Sequence, residues 1–124
     1  MGTGITLFSF GHKYGMPEAD VVLDARCLEN PYWVPELRAG SGLDEPVRAY
    51  VLAQPAAEQY ARACLELLMV QCRMAQGRGC ELLRVAVGCT GGRHRSVALT
   101  EYLARELRAA GYVVAVSHRD ILRG

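Results

Sequence analysis

Short runs of β-branched and aliphatic residues alternate along this chain with stretches whose apolar residues recur at helical spacing. Ile5 to Phe10, Val21 to Asp24, Leu82 to Val87 and Val113 to Val116 read as strands, three of them nearly continuously apolar. Continuous apolar strands need cover on both faces, which is the habit of parallel sheets with crossover helices. Asp44 and Pro46 open a short helix reaching about Ala53. Pro55 restarts the chain as a longer helix to about Gln76, with Tyr60, Cys64, Leu67, Leu68 and Cys72 on its apolar stripe. Ser96 to Ala110 reads as a helix with Leu99, Leu103, Leu107 and Ala110 on one face. The alternation predicts an α/β fold: a single domain with a mostly parallel or mixed four- to five-stranded sheet flanked by helices. At 124 residues the chain supports one domain, and we take residues 1–124 as that domain. Arg26 to Leu43 is a long connection holding Pro31, Pro35, Gly40 and Gly42. A connection of that length in a compact domain is usually functional.

Composition excludes some classes of function. Lys+Arg total 14 and Asp+Glu 13, a net charge of +1, which argues against a strongly basic nucleic-acid coat and an acidic tail. Lys13 is the only lysine; every other basic side chain except the histidines is arginine, the better bidentate ligand for anions. The five cysteines include no C-x-x-C pair. That pattern predicts reduced thiols, a cytoplasmic setting and no zinc site. No apolar stretch is long enough for a membrane span.

Chemistry gathers after the strands. His12, Lys13 and Tyr14 follow the first, and Asp24 and Arg26 the second. The segment Cys89 to Arg95 follows the third, and His118, Arg119 and Asp120 the fourth. Parallel strands point their C-terminal ends the same way, and ligands of open α/β sheets bind at that edge. The sharpest of these segments is G-C-T-G-G-R-H-R-S, Gly88 to Ser96, between an apolar strand and an amphipathic helix. Gly91 and Gly92 permit a tight turn that aims N–H groups inward. The helix N-terminus adds partial positive charge and unpaired donors. Arg93, His94, Arg95, Thr90 and Ser96 add side-chain donors. The expected ligand is a phosphate, sulfate or carboxylate.

The loop is not G-x-x-x-x-G-K-[ST], so it does not support ATP hydrolysis, and no cofactor is expected. It does match the C-x5-R-[ST] spacing of cysteine phosphatases through Cys89, Arg95 and Ser96. In that alternative Cys89 is the nucleophile, Arg95 binds the phosphoryl oxygens, and Asp24 or Asp44 is the acid. Gly88 stands where those enzymes usually have His, and no local acid loop of W-P-D type is present.

Read together, S-F-G-H-K-Y-G (9–15), A-D-V-V-L-D-A-R (19–26), N-P-Y-W-V-P-E-L-R (30–38), S-G-L-D-E-P-V (41–47), G-C-T-G-G-R-H-R-S-V (88–97) and S-H-R-D (117–120) resemble the RapZ C-terminal domain family. The segments occur in the family's order and span nearly the whole chain. The resemblance implies a fold like a phosphofructokinase subdomain and a ligand such as glucosamine-6-phosphate or a nucleotide. It also implies self-association as a homodimer or higher oligomer, and a role as an adapter for small regulatory RNA or a protein partner. Full-length members carry an N-terminal P-loop domain, so the resemblance implies a stand-alone version here. Tyr32 stands where many relatives have His, Ser41 where Thr is common, and the lysine-rich tail tied to RNA binding is missing. RNA binding is therefore less well supported than metabolite binding.

The resulting expectation is a phosphometabolite-binding, sensing domain rather than an enzyme. A phosphate sits on Thr90 to Ser96, with Cys89 beneath it. Ligand hydroxyls meet Asp24, Arg26, Asn30 and Tyr32, and His118, Lys13 and Arg119 complete the charge. Trp33 has two readings, an anchor that pins the long connection to the core, which is preferred, and a surface that stacks on a sugar or base; His12 carries little weight.

Overall fold

Alternation along the first strand decides how the sheet is loaded. In the computed structural model, which describes residues 2–123, β1 spans Gly4–Gly11. Ile5, Leu7 and Ser9 are buried, whereas Thr6 and Phe8 are only half-buried. The chain continues through β2 (Val21–Asp24), α1 (Pro35–Arg38), α2 (Glu45–Leu52), α3 (Pro55–Gly77), β3 (Leu82–Cys89), α4 (Arg95–Ala109) and β4 (Val114–His118). Single 3-10 turns occupy His12–Tyr14 and Pro31–Trp33. The expected sheet is found with four strands in the order β2-β3-β1-β4, every neighbouring pair parallel.

Register places the inward residues in rows. Ile5 stands opposite Leu83 and Val114, and Leu7 opposite Val85 and Val116. Leu23 on β2 stands opposite Val87. These residues form one core with the buried stripes of α2, α3 and α4. On α3 the stripe is Ala57, Ala61, Cys64, Leu68 and Cys72. Leu67, expected there, sits at the stripe's edge and is largely exposed, and Tyr60 is half-buried. Small residues at 57, 61 and 64 let α3 approach closely. On α4 the stripe is Leu99, Leu103 and Leu107, while Ala110 is an exposed C-cap outside it. Full burial of each such leucine stabilises the fold by about 1.5–3 kcal/mol.

The opposite face, carrying Val22, Arg84, Ala115 and Ser117, stays exposed along much of its length. At its C-terminal end it is closed by buried Phe10, whose ring packs 4.8 Å from the His12 ring. Residues 12–20 join β1 to β2 without an α-helix. Parallel connections normally need roughly a dozen residues or more. This one can be shorter because β2 begins opposite Val85, partway up β3, so the chain descends only part of the strand. Asp20 fastens its end: its N–H donates to the Arg84 carbonyl and its carboxylate accepts from the Arg84 N–H.

Asp44 does stand at the N-cap of α2. Its carboxylate serves a different group from the one expected, accepting the Ser41 N–H at 2.8 Å and closing the turn before the helix. No described helix is long and apolar enough to cross a membrane.

Candidate functional site

β3 delivers Cys89 to the C-terminal edge of the sheet, Thr90 to His94 form a loop, and α4 begins at Arg95. The loop is held by close backbone approach. Gly92 has φ +76°, and a Cβ there would lie 2.5 Å from the Gly11 nitrogen. Gly11 in turn leaves no room for a side chain against Gly91. On the other flank, the Gly42 N–H donates to the Arg93 carbonyl, and the Lys13 N–H donates to the Thr90 carbonyl. Gly91 differs from its neighbour: a Cβ there would meet open space. That space is a cleft of about 490 Å³. No side chain caps the first turn of α4, and Gly42 packs against that turn: a Cβ on Gly42 would lie 2.4 Å from the Ala98 nitrogen.

Of the residues expected to contact a ligand, Lys13, Asn30, Tyr32, Cys89, Thr90, Gly91, Arg93, His94 and Arg95 come together as lining of the cleft. Trp33, Arg38, Ala39 and Arg123 line it too. Trp33 is not the expected core anchor: it is 74% exposed, because buried Pro31 and a backbone turn fasten this part of the connection instead. Arg38 was visible only as part of a matching segment. Its Nε donates to the Tyr32 carbonyl and its guanidinium lies 4.8 Å from the centre of the Tyr32 ring.

The remaining expected residues lie outside the cleft lining. Asp24 and Arg26 are paired with each other, with guanidinium Nη2 2.8 Å from Oδ2 and Nε 3.0 Å from Oδ1. Arg26 holds the Asp24 carboxyl below the usual carboxylate range. Ser96 is fully buried and accepts a hydrogen bond from the Cys89 thiol at 3.2 Å. Gly92 serves through its backbone, donating its N–H to Cys89 Sγ at 3.3 Å. His118 is held between the Ser9 hydroxyl (2.7 Å) and the Glu101 carboxylate (2.8 Å). Arg119 pairs with buried Asp120 and donates to the Gly15 carbonyl at 2.8 Å.

Two arginines of the loop are largely occupied by backbone. Arg93 donates to the carbonyls of Gly40 (2.8 Å), Ala39 (2.6 Å) and Ile121 (3.1 Å). Arg95, almost fully buried, donates to the carbonyls of Arg26 (2.9 Å) and Leu28 (3.3 Å). Both therefore tie the long connection to the loop while leaving positive charge beside the cleft. His94 bonds the Arg38 carbonyl at 3.0 Å. Burial, reinforced by the neighbouring guanidinium groups of Arg93 and Arg95, pushes its imidazole below its ordinary pKa despite carbonyl bonds that oppose the shift. Among the described residues no cluster of His, Cys, Asp or Glu has the makings of a metal site.

This loop, connection and sheet edge belong to a recognisable family. The family model described as the RapZ C-terminal domain matches residues 3–122. The chain belongs to the RapZ C-terminal domain family. Similar proteins include a nucleotide-binding protein of Geobacter sulfurreducens, 50% identical over 97% of this chain and 42% of the relative's length. A nucleotide-binding protein of Thermobifida fusca is 52% identical over 93% of the chain and 40% of its own length. Another from Streptomyces coelicolor is 50% identical over 95% and 40%. The chain thus spans about two fifths of the length of these relatives.

Proposed function

We propose that this chain of the RapZ C-terminal domain family binds a phosphorylated small molecule at the 89–96 loop and serves a regulatory, sensing role. The observation that carries this reading is the loop itself. It combines an open position at Gly91 and the Thr90 hydroxyl on a cleft also lined by Lys13, Arg38, Arg93, Arg95 and Arg123. Arginine and lysine side chains favour an anion, and hydrogen bonds to a charged group are worth about 1.5–3 kcal/mol each. The names of the relatives, which call them nucleotide-binding proteins, are in keeping with a phosphate-bearing ligand.

Gly91→Asp tests the reading, because the new side chain enters open space and brings a negative charge into the cradle. Calorimetric titration with inorganic phosphate and sugar phosphates should show binding to wild type and to Gly91→Ala but none to Gly91→Asp. Equal affinity in all three would reject the site.

Cysteine-phosphatase chemistry is the second reading, favoured by one observation. Cys89 Sγ lies within hydrogen-bond distance of the Gly92 N–H and the Ser96 hydroxyl, two groups that would flank the nucleophile of such an enzyme. Against it, no Asp or Glu is among the described residues lining the cleft, so an acid for the leaving group is missing. Gly88 also leaves no space for the His usual in those enzymes, since a Cβ would run into Phe10 and His12. Hydrolysis of p-nitrophenyl phosphate by wild type and its loss in Cys89→Ser would favour this reading over simple binding.

A further inference from the structure

We propose that Cys27 and Cys64 form a redox pair: a hydroperoxide oxidises the exposed Cys27 thiol, and Cys64 then closes a reversible disulfide that ties the start of the long connection to α3. The pair lies apart from the cleft, which neither cysteine lines.

Placement brings the two thiols to one phenol. The Asp24 carbonyl at the end of β2 accepts the Tyr60 hydroxyl at 2.6 Å, and the Cys27 thiol approaches the same oxygen at 3.9 Å. Cys64 follows Tyr60 by four residues on α3, and side chains at that spacing are neighbours on one helix face. The Cys64 thiol lies within hydrogen-bonding reach of the Tyr60 hydroxyl, and so does the Cys27 thiol.

The turn that carries Cys27 is fixed from several directions. The Ala25 N–H donates to the Gly88 carbonyl at 2.7 Å, and the Leu28 N–H to the Ala25 carbonyl at 3.1 Å. Arg95 donates to the carbonyls of Arg26 and Leu28, one on either side of Cys27. Cys27 is therefore presented to α3 in advance, and a bridge between segments already held together costs little further chain entropy.

The two thiols differ in the way a two-step oxidation requires. Cys27 is exposed and Cys64 is buried in the core. Burial pushes the Cys64 thiol above its ordinary pKa, which makes it a poor first target for an oxidant. In the first step Cys27 Sγ attacks one oxygen of hydrogen peroxide. The O–O bond breaks, one water leaves, and Cys27 becomes a sulfenic acid. In the second, Cys64 Sγ attacks the Cys27 sulfur. The S–S bond forms, the S–O bond breaks, and a second water leaves with the Cys64 proton. Two thiols are oxidised and one peroxide is reduced to two waters. The other cysteines have different neighbours. The Cys72 thiol approaches the Thr3 carbonyl, Cys80 bonds the Leu82 carbonyl at 3.3 Å, and Cys89 bonds the Ser96 hydroxyl.

Peptide mapping by mass spectrometry tests the pairing. The 124-residue chain is treated with hydrogen peroxide under native conditions, and remaining thiols are blocked with N-ethylmaleimide. A peptide linking Cys27 to Cys64 should hold most of the oxidised Cys27, and dithiothreitol should return both thiols. Cys64→Ala should halt Cys27 at the sulfenic acid, trapped by dimedone, and Cys27→Ser should leave Cys64 a thiol. The wild-type map decides the matter even if either variant fails to fold. The pairing is overturned if Cys27 stays reduced, if it stops at the sulfenic acid in the wild type, or if it links chiefly to Cys80 or to a second chain.

Discussion

The ends of β3 and β4 carry segments of similar polarity, G-C-T-G-G-R-H-R and S-H-R-D, at the same edge of the sheet. After β4 the side chains are matched internally. His118 is held by Ser9 and Glu101, and Asp120 accepts the Gly11 N–H while pairing with Arg119 and Arg123. After β3 the arginines also meet carbonyls, but a side chain at Gly91 would meet open space and no side chain caps the start of α4. One segment bolts the sheet edge together and the other leaves a cradle. Polarity at a strand end therefore does not identify a site; donors left facing a cleft do.

The largest expected effect separates the two roles. Asp120 is fully buried and receives a backbone N–H and two guanidinium groups. Asp120→Ala should lower stability by up to about 3 kcal/mol, because the buried Gly11 N–H loses its charged acceptor. Urea unfolding measures it, and a loss under about 1 kcal/mol would contradict the bolting role. Gly91→Asp should show the reverse pattern, with phosphate binding lost and the urea midpoint nearly unchanged.

Arg93 comes next and lies between the two roles. Its three carbonyl partners come from both the long connection and the C-terminal segment. Arg93→Ala should destabilise by about 2 kcal/mol, through the loss of charged hydrogen bonds to carbonyls. Arg93→Lys should recover less than half, because one ammonium does not reproduce the planar fork. Full rescue by lysine in thermal melts would show that charge alone matters there.

A smaller effect follows from His94. Its folded pKa is lowered, so the unfolded chain binds more protons between that value and the free-histidine value of about 6.5. The His94 contribution to stability is fully present above that unfolded value and is lost as pH falls through the folded one. Thermal melts should therefore show Tm falling from pH 7.5 to 5.5, with a shallower fall in His94→Gln. The lowered carboxyls of Asp24 and Asp120 act in a separate window, below about pH 4, where stability is lost as they take up protons. A Tm that is flat from 7.5 to 5.5 would remove His94 from the account.

Much of the fold was legible because local patterns dictate it. The strand runs, the helix starts at Pro46 and Pro55, and the strand–loop–helix passage at 82–109 follow from β-branched runs, proline position and apolar spacing. The strand order and the exposed second face were not legible, since they depend on how far up β3 the short β2 is docked. For the site, the glycines of the loop announced themselves. Most partners of Arg93 and Arg95 did not, because they are carbonyls of a connection more than fifty residues away, and a carbonyl carries no sequence signature. Asp24 stands outside the cleft lining and pairs with Arg26, two residues on, a pairing that adjacency in the chain makes easy to anticipate.

The smallest expected change is the one at Trp33, and it bears on the difference between an anchor and a rim. Tryptophan beside proline in a long connection suggests a residue that pins the chain to the core, and loss of a buried aromatic to alanine costs about 3–5 kcal/mol. At 74% exposure Trp33 has little burial to lose. The turn it sits on is held by the Asn30 side chain, by the Val34 N–H on the Pro31 carbonyl and by Arg38 on the Tyr32 carbonyl. None of these bonds uses the indole. Trp33→Ala should therefore shift stability by less than about 0.5 kcal/mol, as exposed substitutions generally do. A loss above 2 kcal/mol in urea would return Trp33 to the core and deprive the cleft of its aromatic edge.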